Sequence, residues 1–271
     1  MVLIGVIVGE IAYWLHGSRR SITHQNLSAC FPDADAKWIR RTARRHFHHM
    51  VTSIFTIAIT WWAPRGRILR LYSVDDQTTM DRIMGGDEPI ILLAPHFTSL
   101  EYTGMIFFCQ RDMSTMYQRH KNPDVDQLIT GRRTRYGGTL FDYKDISPTL
   151  IKSLRSGIPF YYLPDQDPGR KNGVFAKFYG IPTATYPALG KIARLGRAKV
   201  IPCMARLKPW GTGFELIFGE EIPDYPTGDD VVDATTMNHH IEKLIAHAPE
   251  QYFWSHKRFK TRPEGDPPFY S

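Results

Sequence analysis

The run Pro-Ile-Ile-Leu-Leu-Ala at positions 89–94 carries no polar residue on either of its alternating faces. A strand with one wet face alternates apolar and polar residues, so an unbroken run predicts a strand covered on both sides, as in a sheet packed between helices. The chain beyond it alternates in the same sense. A helix is expected from about Thr98, and "MSTMY" reads as the next strand. Asn122-Pro123-Asp124 supplies an N-cap, a proline at the first helical position and an early acid, predicting a helix to about Tyr136. Ser147-Pro148 repeats that signal, with Gly157 as the stop before the strand "PFYYL". A helix over Pro187–Leu195 closes at Gly196, "KVIPCMARL" and "FELIF" read as strands, and "DATTMNHHIEKLIAHAP" as a last helix. The alternation predicts an α/β sandwich with a mixed, mainly parallel sheet flanked by helices. With 271 residues, 42% of them hydrophobic, the chain can bury one sizeable core, and no repeat or Gly/Ser linker divides it.

The first seventy residues read differently. "MVLIGVIVGEIAYWLHGSRR" is an apolar stretch interrupted by Glu10 and followed by Arg19 and Arg20. It is shorter than the about 20 apolar residues that a bilayer span needs. No basic region precedes it and no small-residue cleavage site follows, as a signal peptide would require. A membrane-contacting helix with its basic flank on the cytoplasmic side fits, beside an ordinary buried helix. Residues 33–70 show helical periodicity with Arg40, Arg41, Arg44 and Arg45 clustered, and "IFTIAITWWA" offers aromatic and aliphatic groups suited to an interface; a solvated basic face beside a core stripe is the alternative. The organisation expected is a membrane-associated helical region over 1–70 and an α/β core over 71–271. A net charge of +7 favours an anionic partner: nucleic acid, an acidic protein or a membrane surface. The three cysteines have neither zinc-site nor disulfide-framework spacing.

Phosphate-binding glycine loops, a serine elbow and an HExxH zinc motif are all missing. What stands out is "APHFTSLEYTG", 94–104, which puts His96 at the carboxyl end of the predicted strand, where α/β folds hold their ligands. Glu101 follows five positions on. With Thr98 as N-cap, Glu101 falls at the third helical position of a capping box, and Phe97 and Tyr102 match a hydrophobic staple. The same residues have the parts of a general base and an orienting acid, Glu101 fixing the imidazole while its other nitrogen meets a hydroxyl that attacks a thioester. After "PFYYL", the segment "PDQDPGR" sets Asp165 and Asp167 at a strand end; a turn on Asp167-Pro168-Gly169 is simpler than a calcium loop, whose further acids are absent.

"APHFTSLE" resembles the HxxxxD/E motif of the lysophospholipid acyltransferase superfamily. More narrowly, the chain resembles the lipid A late acyltransferases, the lauroyl/myristoyl acyltransferases of Gram-negative bacteria. Four further blocks follow the family in order: "NLSACFP", "MYQRHKNPDVDQLITGRRTRYGG", "YYLPDQDPGRKNGVFAKFYG" and "PEQYFWSHKRFKTRPEG". The resemblance implies His96 as base with Glu101 as its partner. It implies Arg133 and Arg135 as the R-x-R pair for substrate phosphate or the reaction intermediate, and Asp165 as a site residue ordering the arginine or the acceptor. It also implies Asp167, Arg170, Lys171 and Gly173, with Phe175 and Phe178, in an acceptor loop meeting anionic head groups. The implied donor is a fatty acyl thioester on acyl carrier protein, the acceptor a hydroxyl of a phosphorylated lipid A precursor, and the place the cytoplasmic face of the bacterial inner membrane. No cofactor, metal or nucleic acid is implied. Members usually begin with a fuller membrane anchor, whereas here the apolar run starts at Met1. An acyltransferase for another phospholipid or glycolipid shares the same core, and a non-catalytic basic membrane-surface protein is the reading from another class.

Overall fold

The computed structural model describes residues 2–143 and 146–270. The N-terminal third is helical: α1 (Val2–Leu15), α2 (Gly17–Cys30), the long α3 (Ala36–Trp62) and the short α4 (Arg65–Arg70). Then come β1 (Tyr72–Val74), α5 (Gln77–Gly85), β2 (Ile90–Leu93), α6 (Leu100–Phe108), β3 (Ser114–Tyr117) and α7 (Pro123–Arg133). They are followed by β4 (Thr139–Asp142), α8 (Pro148–Arg155), β5 (Phe160–Tyr162), the hairpin β6 (Val174–Phe178) and β7 (Ile181–Thr185), and α9 (Ala188–Gly196). The chain closes with β8 (Lys199–Leu207), β9 (Phe214–Phe218), α10 (Asp230–His247) and an irregular segment after it.

Seven strands form one sheet in the order β1-β9-β8-β2-β5-β3-β4, with β6 and β7 as a separate ribbon. Only the β8–β9 pairing within that sheet is antiparallel, so the mixed, mainly parallel α/β fold expected from the sequence is what forms. Strand β2 shows why its sequence has no polar face. Ile91 and Leu93 enter the core beneath α8, α9 and α10, whereas Ile90, Leu92 and Ala94 enter a second core with Tyr102, Ile106 and Phe107 of α6. All five side chains from Ile90 to Ala94 are thus out of water. The caps of α7 and α8 also form as the sequence implies: the Asn122 side chain accepts from the Asp124 and Val125 N–H groups, and Ser147 from that of Leu150. Helix α9 departs slightly, since Arg197 rather than Gly196 takes the left-handed closing position.

The N-terminal apolar stretch folds back on α3. Gly5 and Gly9, one turn apart, face that helix so closely that a Cβ on Gly9 would lie 2.6 Å from the His48 Cα, and one on Gly5 would overlap the Thr52 hydroxyl. Glu10 turns to the same side and accepts from Arg44 Nη2 at 2.7 Å and pairs with His48 Nε2 at 3.0 Å. Partial burial works against its charge, but the Arg44, His48 and Trp14 donors prevail and hold it at about 2. With its glycines and its one charge inward, α1 presents Leu3, Ile4, Ile7, Ile11, Trp14 and Leu15 outward. No helix among the described residues is long and apolar enough to cross a membrane. Met1, the first residue of the apolar run, lies outside the described residues.

Candidate active site

Strands β2 and β5 are parallel neighbours, with Leu93 opposite Tyr162, so their carboxyl ends open side by side. His96 leaves the end of β2 and Asp165 the end of β5. The Asp165 carboxylate accepts twice from the same residue: Oδ2 from the His96 backbone N–H at 2.8 Å, and Oδ1 from the ring at Nδ1, 2.6 Å away. Asp165 is 2% exposed. Burial pushes its carboxyl up, but the His96 ring and backbone bonds, with the Arg258 guanidinium behind, bring it below the ordinary value, so it is an anion. An Nδ1–H held by a carboxylate leaves the imidazole lone pair on Nε2, which has no partner among the described residues. This is the arrangement of a base with its orienting acid.

The acid bonded to His96 is thus Asp165, where the sequence expectation paired His96 with Glu101. Glu101 is held by a two-pronged ion pair with Arg133, whose Nε lies 3.2 Å from Oε2 while Nη2 binds Oε1; Trp61 Nε1 is 3.5 Å away. The capping box does not form either. Helix α6 starts at Leu100 with Ser99 as N-cap and no side-chain cap bond, placing Glu101 at the second helical position. The cause lies in the C-terminal segment: the Thr98 N–H donates to the Gln251 carbonyl at 2.8 Å, and Phe97 bridges Tyr252 as in an antiparallel pair. Thr98 is thereby drawn out of the helix it was expected to start.

His96, Glu101 and Arg133 share a cleft of about 1050 Å³. Its walls change character with depth along one face of α6: Glu101 is followed by Gly104, Met105 and Phe108, and Met116, Tyr161 and Leu163 face them. Asp167 and Asn172 lie along the same cleft. Asp167 closes its loop, accepting from Gly169 N–H at 2.7 Å on one oxygen and from Thr261 N–H at 2.7 Å on the other. Gly173 packs that loop, since a Cβ there would meet Pro168 at 2.6 Å. Arg170 and Lys171 are exposed on it, Arg170 donating to the Arg262 carbonyl. Phe175 is half-buried on β6 and Phe178 is a core residue whose ring lies tilted against Tyr252 and Phe259. Arg135 is not placed as the second arginine of a substrate pair: its Nη2 donates to the Thr60 and Ala63 carbonyls at 2.8 and 2.7 Å, closing the end of α3.

Sequence reasoning gave no site role to residues 251–261, yet both loops rest on them. The Phe253 N–H donates to the His96 carbonyl at 3.0 Å, and His256 Nε2 accepts from the Asp167 N–H at 3.3 Å. Burial lowers the His256 pKa, with Arg258 and His96 adding to it, in keeping with a neutral ring that accepts a hydrogen bond. The available signal was the last block, "PEQYFWSHKRFKTRPEG", dense in aromatic and basic residues without helical or strand periodicity.

Comparison with known proteins finds similarity over nearly the full chain. The chain is 32% identical over 268 residues to the lipid A biosynthesis lauroyltransferase of Escherichia coli (strain K12), spanning 98% of this chain and 87% of that protein. It is 30% identical over 269 residues to the palmitoleoyltransferase of the same organism, with coverage of 98% and 87%. To the myristoyltransferase it is 30% identical over 268 residues, covering 96% and 80%. Residues 2–261 match the family model described as bacterial lipid A biosynthesis acyltransferase, and the chain belongs to that family of acyltransferases.

Proposed function

We propose that this protein transfers a fatty acyl chain from an acyl carrier protein thioester to a hydroxyl of a phosphorylated lipid A precursor, at the cytoplasmic face of the inner membrane. The observation that carries the reading is the His96–Asp165 pair at the edge of the cleft. His96 Nε2 takes the proton of the acceptor hydroxyl as its oxygen bonds to the thioester carbon. As the tetrahedral intermediate collapses, the carbon–sulfur bond breaks and the same nitrogen returns the proton to the departing thiolate. Arg133, in the same cleft, supplies positive charge for a substrate phosphate or the developing oxyanion, and the apolar wall from Gly104 to Phe108 receives the acyl chain.

A lipid surface fits the N-terminal region. Beyond the outward face of α1, Ile54 and Trp62 of α3 are exposed, and so is Trp210 at the tip of the β8–β9 hairpin, 90% exposed with a positive φ of 61°. That tip meets α1, since a Cβ on Gly211 would overlap Val2. Exposed tryptophans beside aliphatic surface suit the membrane interface, and arginines at 65, 67 and 70 add charge suited to anionic lipid.

The test is transfer from an acyl-carrier-protein thioester to the lipid A precursor by His96→Ala. A loss of at least about 10²-fold in rate with the fold intact is expected. Near-native turnover would sink the assignment of the base, and preference for lysophosphatidic acid over the precursor in competition would overturn the acceptor.

A further inference from the structure

Beside the substrate cleft, His96 and Asp165 also line a hollow of about 10 Å³ together with Asn26, Tyr252, His256 and Arg258. Arg258 is 3% exposed. Its Nη1 donates to the Ala184 carbonyl at 2.5 Å, and its Nη2 to Thr185 Oγ1 at 3.0 Å and Asn238 Oδ1 at 3.5 Å; Nε has no partner among the described residues. All three acceptors are neutral, and none of the ion pairs found among the described residues includes Arg258. A buried cation without a carboxylate bonded to it is costly unless an anion lies close by. The buried anion sharing this hollow is Asp165.

We propose that Arg258 is a positioning residue of the reaction: a fixed buried counter-charge to Asp165 that weakens the carboxylate's hold on a proton at His96 and so keeps the imidazole available as a base at neutral pH. The inference rests on the reading of His96 as the base. The arrangement makes chemical sense because a buried carboxylate bonded to an imidazole, with no other cation near, favours the imidazolium, which cannot accept a proton from the acceptor. With a guanidinium on the far side of Asp165, the three groups together carry one positive charge less when the ring is neutral, and that state is the working one. The other charged and titratable groups facing the pair are accounted for. Asp167 and His256 lie beside it, the latter held neutral; Tyr252 and Tyr161 are pushed up by burial; and Glu101 is neutralised by Arg133 on the cleft side. Burial lowers the Arg258 pKa, while Tyr252, Asp165 and Asp167 act in the opposite sense.

The experiment compares pH profiles of kcat/KM for the full chain with Arg258→Met, Arg258→Lys and Thr185→Val. In Arg258→Met the acid limb is expected to move up by about one pH unit, because the neighbouring positive charge is gone. Arg258→Lys keeps the charge, and Thr185→Val removes only neutral hydrogen bonds, those of its hydroxyl with Arg258, Asn238 and Thr183; both should keep the limb near its place while thermal stability falls. A role confined to clasping Ala184 and Thr185 predicts lower stability in all three variants and an unmoved limb, and that result overturns the proposal. If Arg258→Met does not fold, Asp165→Asn added to it removes the stranded anion and should restore a folded protein. A double variant no more stable than the single one overturns the proposal as well. Loss of activity in His96→Ala together with an unmoved limb in Arg258→Met would leave the base assignment standing and remove Arg258 alone.

Discussion

Two site carboxylates, Glu101 expected to serve His96 and Asp165 expected to order the arginine or the acceptor, lie in different surroundings. Glu101 is five residues away in sequence, but its side chain turns to Arg133 in a partly open pair with side-chain exposures of 16% and 28%. Asp165 is sixty-nine residues away, lies at the end of the neighbouring strand, and is buried against both the ring and the backbone of His96. Sequence proximity along a helix start did not choose the partner; the pairing of β2 with β5 did. Buried and doubly bonded, Asp165 fixes a tautomer, which an acid tied up in an arginine fork cannot do.

Changing each acid in turn sharpens that contrast. Asp165→Asn should have the larger effect, at least about 10²-fold in kcat, since an amide can donate to Nδ1 and select the wrong tautomer. Glu101→Gln should cost less, about tenfold in kcat/KM, and act through Arg133. The double variant Glu101→Gln/Arg133→Gln should then be little worse than Arg133→Gln alone, the non-additivity expected of groups sharing one contact. Equal and additive losses for Glu101 and Asp165, read from steady-state kinetics, would break the comparison by putting both acids on His96.

The smallest effect is expected in stability, at a buried group where burial outweighs the Glu250 and Tyr252 backbone groups that favour its charge. His46 on α3 is fully buried, both its ring nitrogens lack partners among the described residues, and burial first, with His49, brings its pKa to about 3 from 6.5. The unfolded chain therefore takes up a proton at this residue where the folded one does not. Its contribution is complete above about pH 6.5 and is lost as pH falls towards 3. His46→Leu should move the acid-unfolding midpoint to lower pH in a circular-dichroism titration, while Glu101→Gln should leave it nearly in place.

Much of the fold was legible because its signals are local. The apolar run of β2, the Asn122 and Ser147 caps and the stop at Gly157 each follow from a few adjacent residues. The β6–β7 ribbon was missed although it carries a signal: Tyr179-Gly180, both at positive φ, joins two short β-rich stretches in a two-residue hairpin. Asp165 and Arg133 were picked out as site residues along with His96 and Glu101, but which of them pair was not read, because which strand end lies beside which is decided by strand order. The C-terminal segment acts largely through backbone groups, which no side-chain motif announces.

That segment gives the enzyme a timetable. The loop after β2 hangs on Gln251 and Phe253, and the loop after β5 on His256 and Thr261. The two loops that carry His96 and Asp165 are complete as sequence long before those supports exist. During synthesis, the strands of the sheet can pair while His96 and Asp165 still lack half of what holds them, and the core that Tyr252, Trp254 and Phe259 complete stays open until then. Competence to move an acyl chain thus waits until residues 251–261 have left the ribosome and docked.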